Sequence, residues 1–216
     1  MGIKVESFSD RAVLVTGYTA PPTHLVGPLT AALHAHPAAA SWRVQAGLTS
    51  LLVAAPAPAA DMSTVVDAAL AALTDTIVTA PPATSTHRVV PCDLDGDDLL
   101  FILDHADMSA DEFARVFASI TWQVAVFGFA PGFAYLQPAT ALPWGPLPRL
   151  ATPRPLAPAG AVCFADTMAC IYPGTTPSGW QWVGTCTLDL FDPTTGRVWA
   201  DIGDTVAFEP RTGTRS

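Results

Sequence analysis

Between residues 131 and 177 the chain places ten of its 21 prolines, and no other feature limits its folding options as much. Proline lacks the N–H that helices and sheet ladders need, so regular helix is excluded here and strands must be short. Its fixed φ also lowers the entropy lost when a loop is ordered. A long segment of this kind within a folded domain reads in two ways: as a rigid binding surface, or as a cover for an open barrel edge. Short strand candidates surround and interrupt it: Gln123 to Phe127, Ala161 to Ala165, Ala169 to Tyr172, Trp180 to Val183, Leu188 to Phe191, Val198 to Asp201 and Thr205 to Phe208. Many short strands punctuated by Gly or Pro predict a sandwich or a closed barrel.

The first part of the chain has a different pattern. Ala12 to Val15 is a short apolar strand, and Pro21-Pro22 opens a helix with Leu25, Leu29, Ala32 and Leu33 at helical spacing. Trp42 to Gln45 alternates, and Gly47 allows a turn into Ser50 to Val53. Asp61 or Ser63 can cap a second helix, with Val65, Ala68, Ala69, Ala72 and Leu73 on one face. Two helices on a small sheet predict an α+β, ferredoxin-like domain over residues 1–82. The stretch Ala80 to Thr86, with Pro81-Pro82, predicts a stiff linker, and a second domain follows over residues 86–216. That domain begins with the strand Arg88 to Val90. The acidic run from Asp93 to Asp98 lacks the calcium-loop pattern, because Gly96 stands fourth instead of sixth and Asp104 occupies the twelfth position. It reads as a turn capping a helix around Leu99 to His105. Ser109 to Glu112 forms a capping box for a helix carrying Phe113, Val116 and Phe117.

Composition closes several routes. The formal charge of −9 disfavours nucleic acid as a partner. No apolar run approaches a membrane span, and the opening residues lack the basic-then-apolar order of a secretory leader. Cys92, Cys163, Cys170 and Cys186 form no C-x-x-C pair, so no metal site is expected, and free thiols suggest the cytoplasm. Lys4 is the only lysine, which excludes a P-loop and a Ser-Ser-Lys amidase centre. There is no G-x-S-x-G elbow. All five histidines precede the proline-rich segment, and His34 and His36 read as helix-end residues. The remaining chemistry is arginine and aromatic. Arg149 and Arg154 can pair with a carboxylate or phosphate, or can sit on exposed turns. Tyr135 and Tyr172 can orient a carbonyl. Phe129, Phe133 and Trp180 can wall a dry pocket, or can serve as core and interface.

These residues also carry a resemblance. The run Gly128-Phe129-Ala130-Pro131-Gly132-Phe133-Ala134-Tyr135-Leu136 is followed by Pro-Arg repeats at Arg149 and Arg154 and by the turn Pro158-Ala159-Gly160. Ile171-Tyr172-Pro173, Gly179-Trp180 and Gly203-Asp204 come next. In order and spacing this resembles the family of the 5-oxoprolinase B component, also called allophanate hydrolase subunit 1, which includes the sporulation kinase inhibitor KipI. The resemblance covers most of residues 88–210, and more loosely Asp10-Arg11-Ala12. It implies a cyclophilin-like β-barrel behind the small α+β domain. It implies a homologous partner, the 5-oxoprolinase C component or allophanate hydrolase subunit 2 (KipA-like), and a third member, the A component, of another fold. The implied activity is ATP-dependent opening of an amide in a small-molecule substrate, as when 5-oxoproline becomes glutamate, with ATP handled without a P-loop in this chain. Two other roles stay open under the same resemblance: inhibition of a sensor histidine kinase, and a carboxyltransferase-like module of a biotin-dependent system. The chain departs from the family pattern at Phe117, where a His is usual, and at Ala161, where a Ser is usual. It departs again near Thr185, where an Arg is usual, and at Ser178, which replaces one of two glycines.

Overall fold

The computed structural model describes residues 3–18, 22–79 and 85–211, without the side chains of 22–24 and 74–79. The chain divides into two compact units, residues 1–84 and 85–216. The stretch 80–84 of the expected linker lies outside the described residues.

The first unit is built from β1 (Lys4–Ser9), β2 (Ala12–Thr16), α1 (Pro22–His34), β3 (Arg43–Ala46), β4 (Leu51–Ala54) and α2 (Met62–Thr79). Its sheet runs β1-β2-β4-β3 and is antiparallel throughout. Val13 and Val15 pair with Val53 and Leu51, so one sheet face carries an aliphatic stripe. Leu25, Leu29 and Leu33 of α1 and Met62, Val66, Leu70 and Leu73 of α2 bury that stripe. His34 ends α1, with its Nε2 3.1 Å from the Trp42 carbonyl oxygen.

The α+β class holds for this unit, but the ferredoxin-like arrangement does not. That arrangement alternates as βαββαβ, whereas these elements run ββαββα. The difference comes from β1. Its sequence, KVESFS, is polar and almost wholly exposed at a sheet edge, so it carries no apolar alternation to reveal it. The buried face of α2 also differs from the expected one. Alanines at several phases blur the period, and the large residues Val66 and Leu70 decide it.

The second unit contains β5 (His87–Cys92), α3 (Leu99–Ala106), α4 (Ala110–Ser119), β6 (Trp122–Phe127), β7 (Ala134–Pro138), β8 (Arg154–Ala157), β9 (Ala161–Ala165), β10 (Met168–Ile171), β11 (Thr176–Ser178), β12 (Gln181–Thr185) and β13 (Thr205–Pro210). Seven strands form a mixed sheet in the order β12-β9-β10-β7-β6-β13-β5, with only β13 and β5 parallel. The sheet curls until its two edges nearly meet. Asp93 and Thr185 exchange backbone hydrogen bonds of 2.8 Å in both directions, and the Asp98 N–H donates to the Trp182 carbonyl at 3.1 Å. The interior is aromatic. Phe113 and Phe117 of α4 enter it beside Trp122, Phe164 and Phe208. Phe117 is fully buried, stacked on Phe208 at 5.0 Å and on Phe113 at 5.7 Å. Phe117, where the resemblance would place a His, is therefore a core ring.

Two expected strands are absent. Leu188 to Phe191 and Val198 to Asp201 run as irregular chain joined by the single bridge Phe191–Val198. The acidic turn also works differently. Asp98 stands at the N-cap of α3 but makes no side-chain cap bond. Its carboxylate instead accepts from the Trp182 N–H at 2.6 Å and from Arg154. The Ser109 cap of α4 is present, with its hydroxyl accepting from the Glu112 N–H at 3.3 Å.

Candidate functional site

Strand alternation gives the barrel wall two faces. Val162 and Phe164 of β9 point into the aromatic interior, so Ala161, Cys163 and Ala165 point outward. Solvent would ordinarily meet that outer face, yet all five residues of β9 are buried. The proline-rich segment covers them. Phe133, Tyr172 and Trp180 lie over a floor of small residues, Ala157, Ala161, Cys163 and Cys170, and form a second core. Ring centroids are 4.9 Å apart for Phe133–Tyr135, 5.3 Å for Phe133–Tyr172 and 6.4 Å for Phe133–Trp180, in edge-to-face contacts. Bulkier floor residues would lift the aromatics away. Ala161 thus packs under the rings.

Five of the seven singled-out residues meet in this cluster: Phe129, Phe133, Tyr135, Tyr172 and Trp180. Phe129 differs from the rest. It is 65% exposed and holds φ at +64°, a left-handed conformation costly for a bulky residue. Its turn is locked by the Gly128 N–H to the Phe133 carbonyl at 3.2 Å and the Phe133 N–H to the Ala130 carbonyl at 3.0 Å.

The two arginines take separate paths. Arg149 is exposed, with Cζ 5.7 Å from the Trp180 ring centroid. Its backbone is clamped on both sides: Gln181 Nε2 donates to the Pro148 carbonyl and the Leu150 N–H to the Gly179 carbonyl, each at 2.8 Å. Among the described residues it meets no carboxylate. Arg154 is turned inward, pairing with Asp98 and with Asp97 at 3.3 Å, its Cζ 5.6 Å from the Trp182 ring. It ties β8 to the start of α3 and to β12.

Three of the distinctive turns converge on one open cleft of about 700 Å³. Ala130-Pro131, Ala159-Gly160 and Tyr172-Pro173-Gly174 form one side, and residues 185–191 with Pro193 form the other. Glycine makes this closeness possible. Gly160 has φ +80°, and a Cβ there would overlap the Cys186 carbonyl oxygen. Gly132 has φ +83°, and its Cβ would stand 2.6 Å from the Leu190 carbonyl oxygen. The Gly160 carbonyl also accepts from the Cys186 N–H at 2.9 Å. Sequence reasoning misses the far wall because its alternation, Leu188-Asp189-Leu190, has the pattern of a strand.

The cleft is mostly apolar, and Asp189 is its one charged side chain. Burial pushes the Cys186 thiol up, so it stays neutral and is a poor nucleophile. Burial likewise pushes the Tyr172 phenol up to about 12, and its hydroxyl shares a 2.9 Å hydrogen bond with Ser178 Oγ. Ser178 also accepts from the Trp180 N–H at 3.0 Å. Ser178 thus ties Tyr172 to β11. Among the described residues the Gly174 N–H, on the cleft, makes no hydrogen bond.

The Gly203-Asp204 turn is a structural latch. Asp204 is 2% exposed and accepts from Thr86 N and Arg88 Nε, both at 2.8 Å, and from Asp201 N at 3.0 Å. Burial alone would raise its carboxyl, but these donors outweigh burial and hold it below the usual value. The unfolded carboxyl titrates near ~3.9. The latch therefore stabilises fully above that pH and fades as pH falls through the lower folded value. Urea unfolding of wild type and Asp204→Asn should differ by about 2–3 kcal/mol at pH 7, with the gap shrinking below pH ~4. A pH-independent gap would refute the latch.

The family model described as carboxyltransferase domain, subdomain C and D, matches residues 3–198. The 5-oxoprolinase B component of Escherichia coli O157:H7 is 37% identical over 118 residues, 54% of this chain and 53% of that protein. Its namesake in Bacillus subtilis is 36% identical over 98 residues, 45% of this chain and 40% of that protein. The chain spans about half the length of the curated relatives it matches. Among solved structures, the Kluyveromyces lactis urea amidolyase superposes with a TM-score of 0.71 at 15% identity, covering 97% of this chain and 15% of that one, a likeness of fold.

Proposed function

The chain belongs to the family of carboxyltransferase domains, subdomain C and D, and on that premise we propose that it is one member of a 5-oxoprolinase-type complex that opens an amide C–N bond. The observation that carries this reading is the convergence of the Ala130-Pro131, Ala159-Gly160 and Tyr172-Pro173-Gly174 turns on one pre-formed cleft. Its size falls in the range of small-molecule sites.

Opening an amide places negative charge on the carbonyl oxygen, and donors aimed at that oxygen lower the barrier. Backbone N–H groups on the cleft that are unpaired among the described residues, that of Gly174 included, are donors this chain brings. Tyr172, held by Ser178, fixes the adjacent wall. The neutral Cys186 and the absence of lysine in the cleft leave acid–base work and the nucleophile to another member of the complex. Phosphates belong elsewhere too, because Asp189 would repel them and no cationic side chain lines the cleft. ATP is therefore handled in a partner. The homologous C component is the partner of choice, with the A component as the third member. Arg149, clamped and stacked over Trp180, offers a carboxylate contact to that partner or to the substrate. Arg154 positions the loops. The kinase-inhibitor reading draws on the exposed Phe129, an anchor of the kind protein interfaces use.

The test is reconstitution with all co-encoded components, followed by omission of this chain. Without it, 5-oxoproline-dependent ATP hydrolysis should fall to background. Equal rates with and without the chain would reject the proposal.

A further inference from the structure

A second pocket of about 500 Å³ adjoins the cleft and shares Asp189 with it. Its character is opposite. The cleft has one charged side chain, whereas this pocket is lined by Arg88, Asp189, Asp192, Arg197 and Asp201, with Trp199 as a wall. Two of these charges are already used. Arg88 pairs with Asp204 at 2.8 Å, and the Asp192 carboxylate accepts from Thr194 N at 2.8 Å and Thr195 Oγ1 at 2.6 Å. Asp189, Asp201 and Arg197 remain. Among the described residues their side chains make no hydrogen bond or ion pair, although carboxylates and a guanidinium face one pocket. Free charges of both signs that do not neutralise each other are complementary to a ligand carrying both signs.

We propose that this pocket binds the zwitterionic end of an α-amino acid, with the ammonium facing Asp189 and Asp201 and the carboxylate facing Arg197. The guanidinium fork matches a carboxylate, and an ammonium donates to two carboxylates readily. Trp199 is a rigid wall: it is 9% exposed and its Nε1 donates to the Gly132 carbonyl at 3.0 Å. That bond also links the pocket to the turn that lines the cleft.

The arrangement gives the two cavities successive tasks, a link that rests on the proposed amide opening. Water adds to the amide carbonyl and the C–N bond breaks. The oxygen of water stays on the acyl carbon as a carboxylate, and the nitrogen leaves with the protons as an ammonium. The amide group itself is neutral and suits the cleft of low charge, while the carboxylate that 5-oxoproline already carries faces Arg197. The ammonium created from the amide has Asp189 beside it, and the mixed-charge pocket receives the product.

The test uses the full chain without partners, so that it is independent of whether a reconstituted complex turns over. L-Glutamate and glutarate are titrated against 15N-tryptophan-labelled protein, with the Trp199 indole signal as reporter. L-Glutamate should shift that signal saturably. Asp189→Asn should weaken L-glutamate about tenfold and leave glutarate, which has no ammonium, unchanged; Arg197→Gln should weaken both about tenfold. No shift with L-glutamate, or equal losses for both probes in Asp189→Asn, would overturn the inference. A complex that is inactive while L-glutamate still binds would count against the proposed function alone.

Discussion

Replacing Gly160 with alanine should destabilise the second unit by about 3–4 kcal/mol and open the cleft. Two costs combine. A non-glycine residue at φ +80° costs ~1–2 kcal/mol. The new Cβ also overlaps the Cys186 carbonyl oxygen, and backbone on both sides resists yielding. The Tyr172 carbonyl holds the Gly160 N–H at 2.8 Å, and the Gly160 carbonyl holds Cys186, so relief must break one wall from the other. Urea unfolding checks the first effect, with Gly179→Ala as the control, since a Cβ there would meet only Pro153 Cγ at 3.9 Å. If both variants unfold at the same urea concentration, Gly160 does not brace the cleft.

The second large effect concerns Arg154. Its side chain is 13% exposed and that of Asp98 15% exposed, so this pair is largely removed from water. Arg154→Leu leaves the Asp98 carboxylate with the Trp182 N–H as its remaining partner, and such uncompensated charges cost about 3–5 kcal/mol. Arg149→Leu, by contrast, removes an exposed guanidinium with no ion pair and should cost less than about 1 kcal/mol. A double-mutant cycle of Arg154→Leu with Asp98→Asn should show coupling of about 2 kcal/mol. Simple additivity would mean that the pair does not hold β8 to α3.

Those two arginines show where sequence reading reaches its limit. Both sit in Pro-Arg dipeptides of one segment, and nothing local distinguishes them. Their fates are set by Asp98, 56 residues before Arg154, and by Trp180, whose ring supports Arg149. Local spacing, in contrast, reveals β9, the Ser109 cap and the apolar stripes of α1 and α4, because each is written in consecutive residues. Strands β7, β8 and β11 escape it because Pro138, Pro155 and Pro177 lie within them, and proline argues against a ladder that short or edge strands tolerate. The aromatic cluster is foreseeable from Phe133, Tyr172 and Trp180. The far cleft wall is not, because it is placed by the close approach of Gly132 and Gly160 across long sequence separations.

If the turn-lined cleft is where the complex meets its amide, obstructing it must slow the reaction. Gly174 allows this with little structural disturbance, since a Cβ there meets nothing within 4 Å. Gly174→Phe should fold and assemble normally while its ring intrudes on the part of the cleft that the Tyr172-Pro173-Gly174 turn lines. The decisive measurement is the rate of 5-oxoproline opening by the reconstituted complex carrying this variant. The expected result is an intact assembly with turnover reduced by about 100-fold, the scale of misplacing a reactant. Full turnover by an assembled Gly174→Phe complex would contradict a role for the cleft.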